Sequence, residues 1–226
     1  MKSLSVSKVI GGVILGFVVA GSAPGAVLVH NFAVGPLVAG SNGTFDVPQF
    51  NAALGTLTSV SLVVNANSAG GSNIFDNENT NGGTADIFLG ADVTVSGPGA
   101  TLTVMPAPQQ MLDDVVIAID DDALPDFAGA DSAGIVGGNG SDSDSGSLND
   151  PPNDLSAYIG LGNVTFDYSS ASNFQVITTL SGQSQFVNPN FDFDGTLTYT
   201  YTVPEPTRAL LLIAGGVGMM MVRRRS

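Results

Sequence analysis

The sequence predicts an all-β fold, an antiparallel sandwich of short strands joined by long loops rich in Gly, Asn and Asp. Residues 191–203 place Phe, Gly, Leu, Tyr and Val at odd positions and Asp and Thr at every even position, so one face of a strand is apolar and the other polar. Shorter segments with similar alternation recur along the chain, separated by Gly, Asn, Asp and Pro. Residues 27–203 show no convincing helical periodicity of 3.6 residues.

The remaining strands are predicted from the same alternation, and they are residues 57–64, 85–89, 93–96, 101–105, 115–119, 164–168 and 174–180. Gly195 is expected to form a bulge or bend within the last strand. Residues 66–83 and 126–154 are rich in Gly, Ser, Asn or Asp and are predicted to be loops. The second is long for a compact domain and is predicted to be a flexible acidic surface loop. Short strands separated in this way are typical of a sandwich or a barrel, and a jelly-roll-like sandwich is the arrangement that we predict.

Composition limits the class of protein. The chain has 226 residues, 43% of them hydrophobic, which suffices for one domain with a core. It contains no Cys, which excludes disulfides, thiolate-bound metals and a thiol nucleophile. With 6 Lys and Arg against 20 Asp and Glu, the net charge of −14 disfavours nucleic acid as a partner, because that binding depends on basic side chains.

The basic residues all lie near the two ends of the chain, and they are Lys2, Lys8, Arg208, Arg223, Arg224 and Arg225. Residues 27–203 contain no Lys or Arg. The carboxylates of this body therefore have no such partner for an ion pair. They must face water, accept hydrogen bonds or bind cations.

Residues 1–26 are predicted to be a secretory signal peptide with a helical core. Lys2 and Lys8 precede the apolar run at residues 9–20, and small residues follow it. This run is shorter than the roughly 20 residues of a membrane span, and an uncleaved anchor is the alternative. We expect export by Sec-type machinery, with residues 27–203 as the exported domain.

The C-terminal segment, residues 204–226, combines a proline-rich tripeptide, an apolar stretch and a basic end. Residues 209–222 are predicted to form a single transmembrane helix, roughly 21 Å long at 1.5 Å per residue. The basic end consists of Arg223, Arg224 and Arg225, which should stay on the cytoplasmic side of the membrane. The tripeptide before the helix consists of Pro204, Glu205 and Pro206.

This order of features resembles the PEP-CTERM sorting signal of Gram-negative bacteria. In that family an exosortase, a membrane cysteine transpeptidase, is thought to recognise Pro-Glu-Pro, cleave near it and transfer the protein onward. The resemblance implies recognition of Pro204, Glu205 and Pro206, and a transient stay in the inner membrane. It also implies a final location in the cell envelope or at the extracellular surface. An ordinary single-pass anchor with an incidental tripeptide is the alternative.

Four patches of the body resemble the bacterial choice-of-anchor E domain, at residues 50–60, 78–79, 158–164 and 195–201. That family comprises exported domains that precede different C-terminal sorting signals, and no catalytic activity is assigned to it. The resemblance therefore implies an architecture and a location. The acidic segment at residues 126–154 departs from the more compact spacing of the family.

The candidate metal ligands lie in this acidic segment. Asp142, Asp144 and Asp150 match positions 1, 3 and 9 of a calcium loop, and oxygen donors without basic neighbours suit Ca²⁺. Position 12 falls on Asn153 where a bidentate Glu is expected, and position 6 falls on Ser147 where Gly is expected. A soluble loop without metal is the alternative.

No catalytic residue is predicted. Asp120, Asp121 and Asp122 follow one predicted strand, but consecutive residues in a strand point to opposite faces and do not direct two carboxylates at one glycan. Their like charges should raise one another's pKa, and a bound cation would relieve that repulsion. His30 is the only histidine and is expected to be a partly exposed strand residue.

The sequence thus predicts a non-enzymatic exported protein of the envelope or extracellular space, without a cofactor, of a Gram-negative-type bacterium. A role as a surface, matrix or adhesion component follows, with extracellular polysaccharide as a partner. A calcium-dependent binding module that uses residues 142–154 is the alternative. A glycan-active enzyme is the third hypothesis.

Overall fold

The computed structural model describes residues 25–98, 102–122 and 124–203, and these form an all-β sandwich in which all neighbouring strands pair antiparallel. The strands are β1 (Gly25–Val38), β2 (Asn42–Pro48), β3 (Thr56–Ala69), β4 (Ser72–Asn77), β5 (Gly83–Ser96), β6 (Thr103–Val104), β7 (Gln109–Ile117), β8 (Ser132–Val136), β9 (Asn139–Asn149), β10 (Asn163–Thr178), β11 (Gly182–Val187) and β12 (Asn190–Thr202). Two short 3-10 helices, Ala52–Leu54 and Ser156–Tyr158, join them.

A four-stranded sheet in the order β1-β12-β3-β9 forms most of one layer. The alternation predicted for residues 191–203 is confirmed up to Tyr201, because the Phe, Leu and Tyr side chains of β12 are buried or, at Tyr201, half-buried, and its Asp and Thr side chains face outward. The register of β12 runs without interruption through Gly195 and shifts between Thr200 and Tyr201. The bulge expected at Gly195 is therefore absent, because this residue pairs in register with both neighbouring strands.

The opposing layer is built on two long strands, β5 and β10, flanked by β2, β6 and β7. The odd-numbered residues of β5 are buried from Ala85 to Val95. Ala91, Val93 and Val95 pack against the four-stranded sheet, whereas Ile87 and Leu89 pack in a second cluster with Phe75 and Ile135, which belong to β4 and β8. One face of β5 thus contributes to both cores.

The three-stranded sheet β11-β4-β8 continues the four-stranded sheet in the same strand order. Ala69 pairs with residues 190 and 139, and Ser72 pairs with residues 187 and 136, so the register is unchanged across the break. Gly70 and Gly71, both at φ +73°, occupy the break in the central strand. The two sheets therefore form one layer interrupted along a single row.

Several strands differ from the prediction. Residues 85–89 and 93–96 belong to one strand, β5, and residues 164–168 and 174–180 belong largely to another, β10. The predicted loop at 66–83 contains the end of β3 and all of β4. Alternation alone does not detect such continuity, because polar residues within a long strand resemble turn residues.

The prediction of a flexible surface loop at residues 126–154 is wrong, because the structure places β8 and β9 within this segment. β9 consists mainly of Asn, Gly, Ser and Asp, which are poor strand formers. It is nevertheless paired with β3 from residue 139 to residue 149. Tertiary pairing thus overrides local propensity here.

The predicted end segments fall mostly outside the described residues. β1 begins at Gly25, inside the predicted signal peptide, and residues 1–24 lie outside the description. The sorting tripeptide, the predicted transmembrane helix at 209–222 and the arginine cluster also lie outside it. Among the residues that are described, no helix has the length and apolar character needed to cross a membrane.

Candidate ligand face and candidate cation site

The outer face of the four-stranded sheet carries a regular array of short polar side chains, here called the polar face. Its members on β12, β3 and β9 are Thr196, Thr198, Thr200, Ser59, Ser61, Asn65, Asn67, Ser141, Ser143, Ser145 and Ser147. Ser61 lies directly opposite Thr198 on one side and Ser147 on the other, so hydroxyl groups form rows across the strands. Short side chains lose little rotamer freedom when a ligand covers them.

Two side-chain hydrogen bonds hold one end of the polar face. The amide nitrogen of Asn65 donates to Asp194 Oδ1 at 3.0 Å, and that of Asn67 donates to Asp192 Oδ1 at 2.9 Å. At the β1 edge, Val27 and Val29 are 59% and 51% exposed. The surface therefore combines two hydrogen-bonded amide and carboxylate pairs, rows of hydroxyl groups, and apolar side chains at the β1 edge and at Val63, which lies between Thr196 and Ser145.

A second candidate site surrounds two buried carboxylates beside the three-stranded sheet. Asp76 on β4 is 2% exposed, and Asp131, which precedes β8, is 1% exposed. Asp76 Oδ2 accepts hydrogen bonds from the backbone amides of Asp126 at 3.0 Å and Phe127 at 2.9 Å. Asp131 Oδ2 accepts one from the amide of Asp121 at 3.1 Å. Within the described chain, Oδ1 of each carboxylate is enclosed without a hydrogen-bond partner.

The segment that covers these carboxylates, residues 118–122 and 124–131, is here called the acidic loop. The buried Asn77 holds both of its ends, because its side-chain nitrogen donates to the Ala118 carbonyl at 2.7 Å and its backbone amide donates to the Asp131 carbonyl at 3.0 Å. The amide of Asp120 donates to the carbonyl of Asn79 at 3.0 Å. Acidic residues from β4 and from both ends of the acidic loop are thereby brought together.

Gly129 shows how closely two of these carboxylates approach. A Cβ atom on Gly129 would lie 2.9 Å from Asp131 Oδ1 and 3.3 Å from Asp121 Oδ2. The oxygen without a partner on Asp131 thus shares one small space with the carboxylate of Asp121. Glycine leaves this space open, and its φ of +90° suits glycine as well.

The pKa values of the surrounding carboxyl groups reflect their mutual repulsion. The pKa of Asp121 is raised, first by the charge of Asp131 and then by burial and by further acidic neighbours. The pKa of Glu78 is raised, first by burial and then by the charges of Asp120 and Asp76. Since residues 25–203 contain no Lys or Arg, no such side chain of the body relieves this repulsion.

Another acidic cluster lies on the outer face of the opposing layer. Carboxylate oxygens of Asp86, Asp113 and Asp114 lie within 4.8 Å of one another. The amide of Asp114 donates to Asp86 Oδ1 at 2.9 Å, and the charge of Asp86 is the largest cause of the raised pKa of Asp113. Asp113 and Asp114 are exposed to solvent, which separates this cluster from the buried pair.

The structure does not gather Asp142, Asp144 and Asp150 into a loop. Asp142 and Asp144 lie on β9, where their Oδ2 atoms accept the amides of Ala107 and Met105, both at 2.8 Å. Asp150 follows the strand, and its amide donates to the carbonyl of Thr58. The hydrogen-bonded carboxylates join the edge of one sheet to the connection between β6 and β7.

His30 and the three consecutive Asp residues at 120–122, which the sequence also singled out, lie in different parts of the fold. His30 is partly buried on β1 and packs edge-on against Tyr199, with ring centroids 5.8 Å apart. Asp120, Asp121 and Asp122 are part of the acidic loop, and the carboxylate of Asp121 lies beside that of the buried Asp131. Sequence reasoning missed Asp76 and Asp131, since only the absence of basic residues hinted that some carboxylates must find another partner.

Comparison with known proteins gives no assignment. No family model and no curated protein matches the chain. The structure of infectious bursal disease virus Gx strain aligns with 11% identity over 82% of this chain and 38% of that chain, with a TM-score of 0.22. T=1 particles derived from infectious bursal virus align with 10% identity over 86% of this chain and 41% of that chain, with a TM-score of 0.18. The chain spans less than half of both viral chains, and similarity this low supports no inference.

Proposed function

We propose that this chain is a non-enzymatic exported protein of a Gram-negative-type bacterium, with a jelly-roll-like body that serves as a surface, matrix or adhesion component. An exosortase-like transpeptidase recognises Pro204, Glu205 and Pro206. The transmembrane helix predicted for residues 209–222 holds the chain briefly in the inner membrane, with Arg223, Arg224 and Arg225 on the cytoplasmic side. The body then resides in the envelope or at the extracellular surface.

The polar face is the observation that supports a structural or adhesive role. Its rows of hydroxyl and amide groups lie on a paired sheet, so many donors and acceptors are held at the regular spacing of neighbouring strands. Each hydrogen bond to a hydroxyl-rich polymer contributes only about 1 kcal/mol, but a polymer contacts many rows at once. Extracellular polysaccharide is therefore the proposed partner.

The polar face is tested by placing acidic side chains on one of its rows. Ser61→Glu combined with Ser147→Glu alters two directly opposed residues on this face. The control, Thr94→Glu with Ser169→Glu, alters an opposed pair on the outer face of the other layer and adds the same charge. We expect roughly ten-fold weaker retention on immobilised exopolysaccharide from the host for the first variant only. Equal retention of both variants would exclude the polar face as the binding surface.

The sorting step is tested separately, by mass spectrometry of the protein made with and without the cognate exosortase. With the enzyme present, the mature chain should end before Arg223, and Glu205→Ala should restore the unprocessed C-terminus. A mature chain that still carries Arg223 in the presence of the enzyme would refute the sorting proposal. This result is independent of what the body binds.

Calcium-dependent binding is the second candidate function, and the buried pair Asp76 and Asp131 is the observation that favours it. Residues 142–154, where the sequence analysis placed this function, contain carboxylates already bonded to backbone amides. If Ca²⁺ raises the Tm of the wild-type protein and the combined Asp142→Ala and Asp144→Ala variant abolishes this rise, the site lies in residues 142–154. The glycan-active enzyme gains no support from the described residues.

A further inference from the structure

We propose that Asp76, Asp131 and Asp121 form a Ca²⁺ site that fastens the acidic loop to the three-stranded sheet. The site is separate from residues 142–154 and from the polar face. It gives the calcium-dependent alternative a location, and it does not depend on the sorting or polysaccharide proposals.

The two buried carboxylates, Asp76 and Asp131, lack the partners that buried charges require. Both are at least 98% buried, and each leaves Oδ1 without a hydrogen-bond partner in the described chain. Buried polar atoms in native proteins are nearly always paired, and an uncompensated buried carboxylate costs several kcal/mol. With no Lys or Arg in residues 25–203, a bound cation is the partner that suits both oxygens.

Carboxylate oxygens of Asp131 and Asp121 point into one small space beside Gly129. Asp131 Oδ1 and Asp121 Oδ2 both lie within 3.3 Å of the Cβ position of Gly129, which glycine leaves empty. Oxygens on opposite sides of one Ca²⁺ ion are up to about 5 Å apart, because each lies 2.3–2.6 Å from the ion. Asp76 is tied to the same loop, because its Oδ2 accepts the amides of Asp126 and Phe127. Its oxygens, those of Asp131 and those of Asp121 are not all within 4.8 Å of one another, so the proposed site forms only when the loop closes on the ion.

The surroundings of the buried pair are strongly acidic. Glu78, Asp120, Asp122 and Asp126 surround the buried pair and bring further carboxylate oxygens to the rim. Asp126 Oδ1 accepts the amide of Ala128 at 2.7 Å, and Asp122 Oδ1 accepts the amide of Leu124 at 3.0 Å. Each of these side chains retains a second oxygen that a small movement of the loop could bring to the ion.

The donor set selects among cations. All the candidate ligands are oxygen atoms, which suit Ca²⁺ and Mg²⁺ rather than Zn²⁺ or copper. Ca²⁺ accepts an irregular shell of 6–8 oxygens, whereas Mg²⁺ requires a near-octahedral shell at 2.0–2.1 Å. Carboxylates from a strand and from two parts of a loop provide an irregular shell. We therefore expect Ca²⁺ to bind more tightly than Mg²⁺.

The experiment is a calorimetric and thermal titration of the full chain with Ca²⁺ after removal of bound metal with EDTA. We expect one tight site and a rise in Tm that grows with Ca²⁺ concentration, as for any ligand that binds only the folded state. Asp131→Asn and Asp121→Asn should each weaken this site at least ten-fold. Asp121 is exposed, so its variant tests the site even if Asp131→Asn does not fold.

Matched controls separate this site from the other acidic residues. Asp113→Asn removes one charge from the exposed cluster, and Asp142→Asn removes one from β9; both should keep wild-type affinity. Hydrogen exchange in residues 118–131 should slow in Ca²⁺ for wild type and not for Asp131→Asn. The proposal is overturned by an absence of Ca²⁺ binding, by equal affinity for Mg²⁺, or by a loss in Asp142→Asn as large as in Asp131→Asn. The last result would point to residues 142–154 instead.

Discussion

Gly195 shows how a single missing side chain determines packing within the four-stranded sheet. A Cβ atom there would overlap the carbonyl oxygen of Val63 and would lie 2.6 Å from Cζ of Phe32, the residue directly opposite on β1. The aromatic ring of Phe32 thus occupies space that any other residue at position 195 would need. Glycine in a strand often marks such a close approach.

Gly195→Ala is therefore expected to reduce the free energy of unfolding by about 1–3 kcal/mol, because a backbone carbonyl cannot move aside without disturbing the strand pair. Urea denaturation followed by circular dichroism measures this change. Gly162→Ala is the control, since its Cβ would meet only Gln49 Oε1 at an ordinary 3.5 Å. A similar loss for both variants would contradict the packing argument.

Tyr158 and Tyr199 illustrate how burial affects titration. Burial raises the pKa of Tyr158 to about 12, and it raises the pKa of Tyr199 further, with Tyr158 contributing. Since both pKa values are higher in the folded state than the unfolded value near 10, the unfolded chain loses these protons first. Stability is therefore fully present below pH 10 and is lost as the pH rises toward 12.

Tyr158→Phe should flatten this alkaline loss of stability. At pH 7 we expect a change within about 1 kcal/mol, because the buried hydroxyl of Tyr158 has no hydrogen-bond partner in the described chain and its removal leaves nothing unpaired. Tyr199→Phe is the contrasting variant, because its hydroxyl donates to the Pro48 carbonyl at 3.0 Å. Thermal unfolding from pH 7 to pH 11 measures both, and an unchanged alkaline slope in Tyr158→Phe would refute the assignment.

At the scale of the element, β9 shows how an unfavourable sequence becomes a strand. Its outward positions are mostly Ser, and its inward positions are Gly140, Asp142, Asp144 and Gly146, with Leu148 as the one large apolar residue that reaches the core. The strand is held by pairing with β3 and by two carboxylates that accept amides of the β6–β7 connection. Inward-pointing charges on an edge strand also discourage pairing with another chain.

Asp142→Ala and Asp144→Ala should each lower the free energy of unfolding by about 1 kcal/mol, since each removes a charge-assisted hydrogen bond that water partly replaces. Urea denaturation in EDTA measures this effect without any contribution from calcium. Ser143→Ala, on the outward side of the same strand, is the matched control. Unchanged stability in both Asp variants would show that the two carboxylates do not stabilise the junction between the layers.

At the scale of the whole molecule, the charge distribution is the dominant feature. All of the 20 acidic residues except Glu205 lie in residues 27–203, so the body carries a formal charge of −19. Charge of one sign favours solubility and opposes compaction through self-repulsion. The fold limits the cost by leaving most carboxylates at the surface and burying only Asp76 and Asp131 among the described residues.

We therefore expect the Tm of the metal-free protein to rise as NaCl is increased from 0.01 to 0.5 M, because the Debye length falls from about 30 Å to below 10 Å. Differential scanning calorimetry in EDTA measures this rise. Sodium sulfate at matched ionic strength separates screening from salting-out, which is stronger for sulfate. A Tm that does not change with NaCl would show that repulsion does not limit stability.

Local patterns predicted some parts of the molecule and missed others. The alternation in residues 191–203 depends on side chains two positions apart, so it correctly indicated a half-buried strand and the all-β class. β8 and β9 were missed because their stability comes from pairing with β4 and β3. Asp76 and Asp131 were missed as a site because no local signal shows which carboxylates become buried.

The sequence by itself determined the strand alternation, the separation of basic ends from an acidic body, and the need for its carboxylates to find partners other than Lys or Arg. Only the tertiary structure decided which carboxylates are buried, because burial of Asp76 and Asp131 depends on a loop of distant residues closing over β4. It also decided that two long strands span both cores and that Asp142 and Asp144 bond to backbone amides. Alternation is a property of neighbouring residues, whereas enclosure requires contacts between segments far apart in the chain.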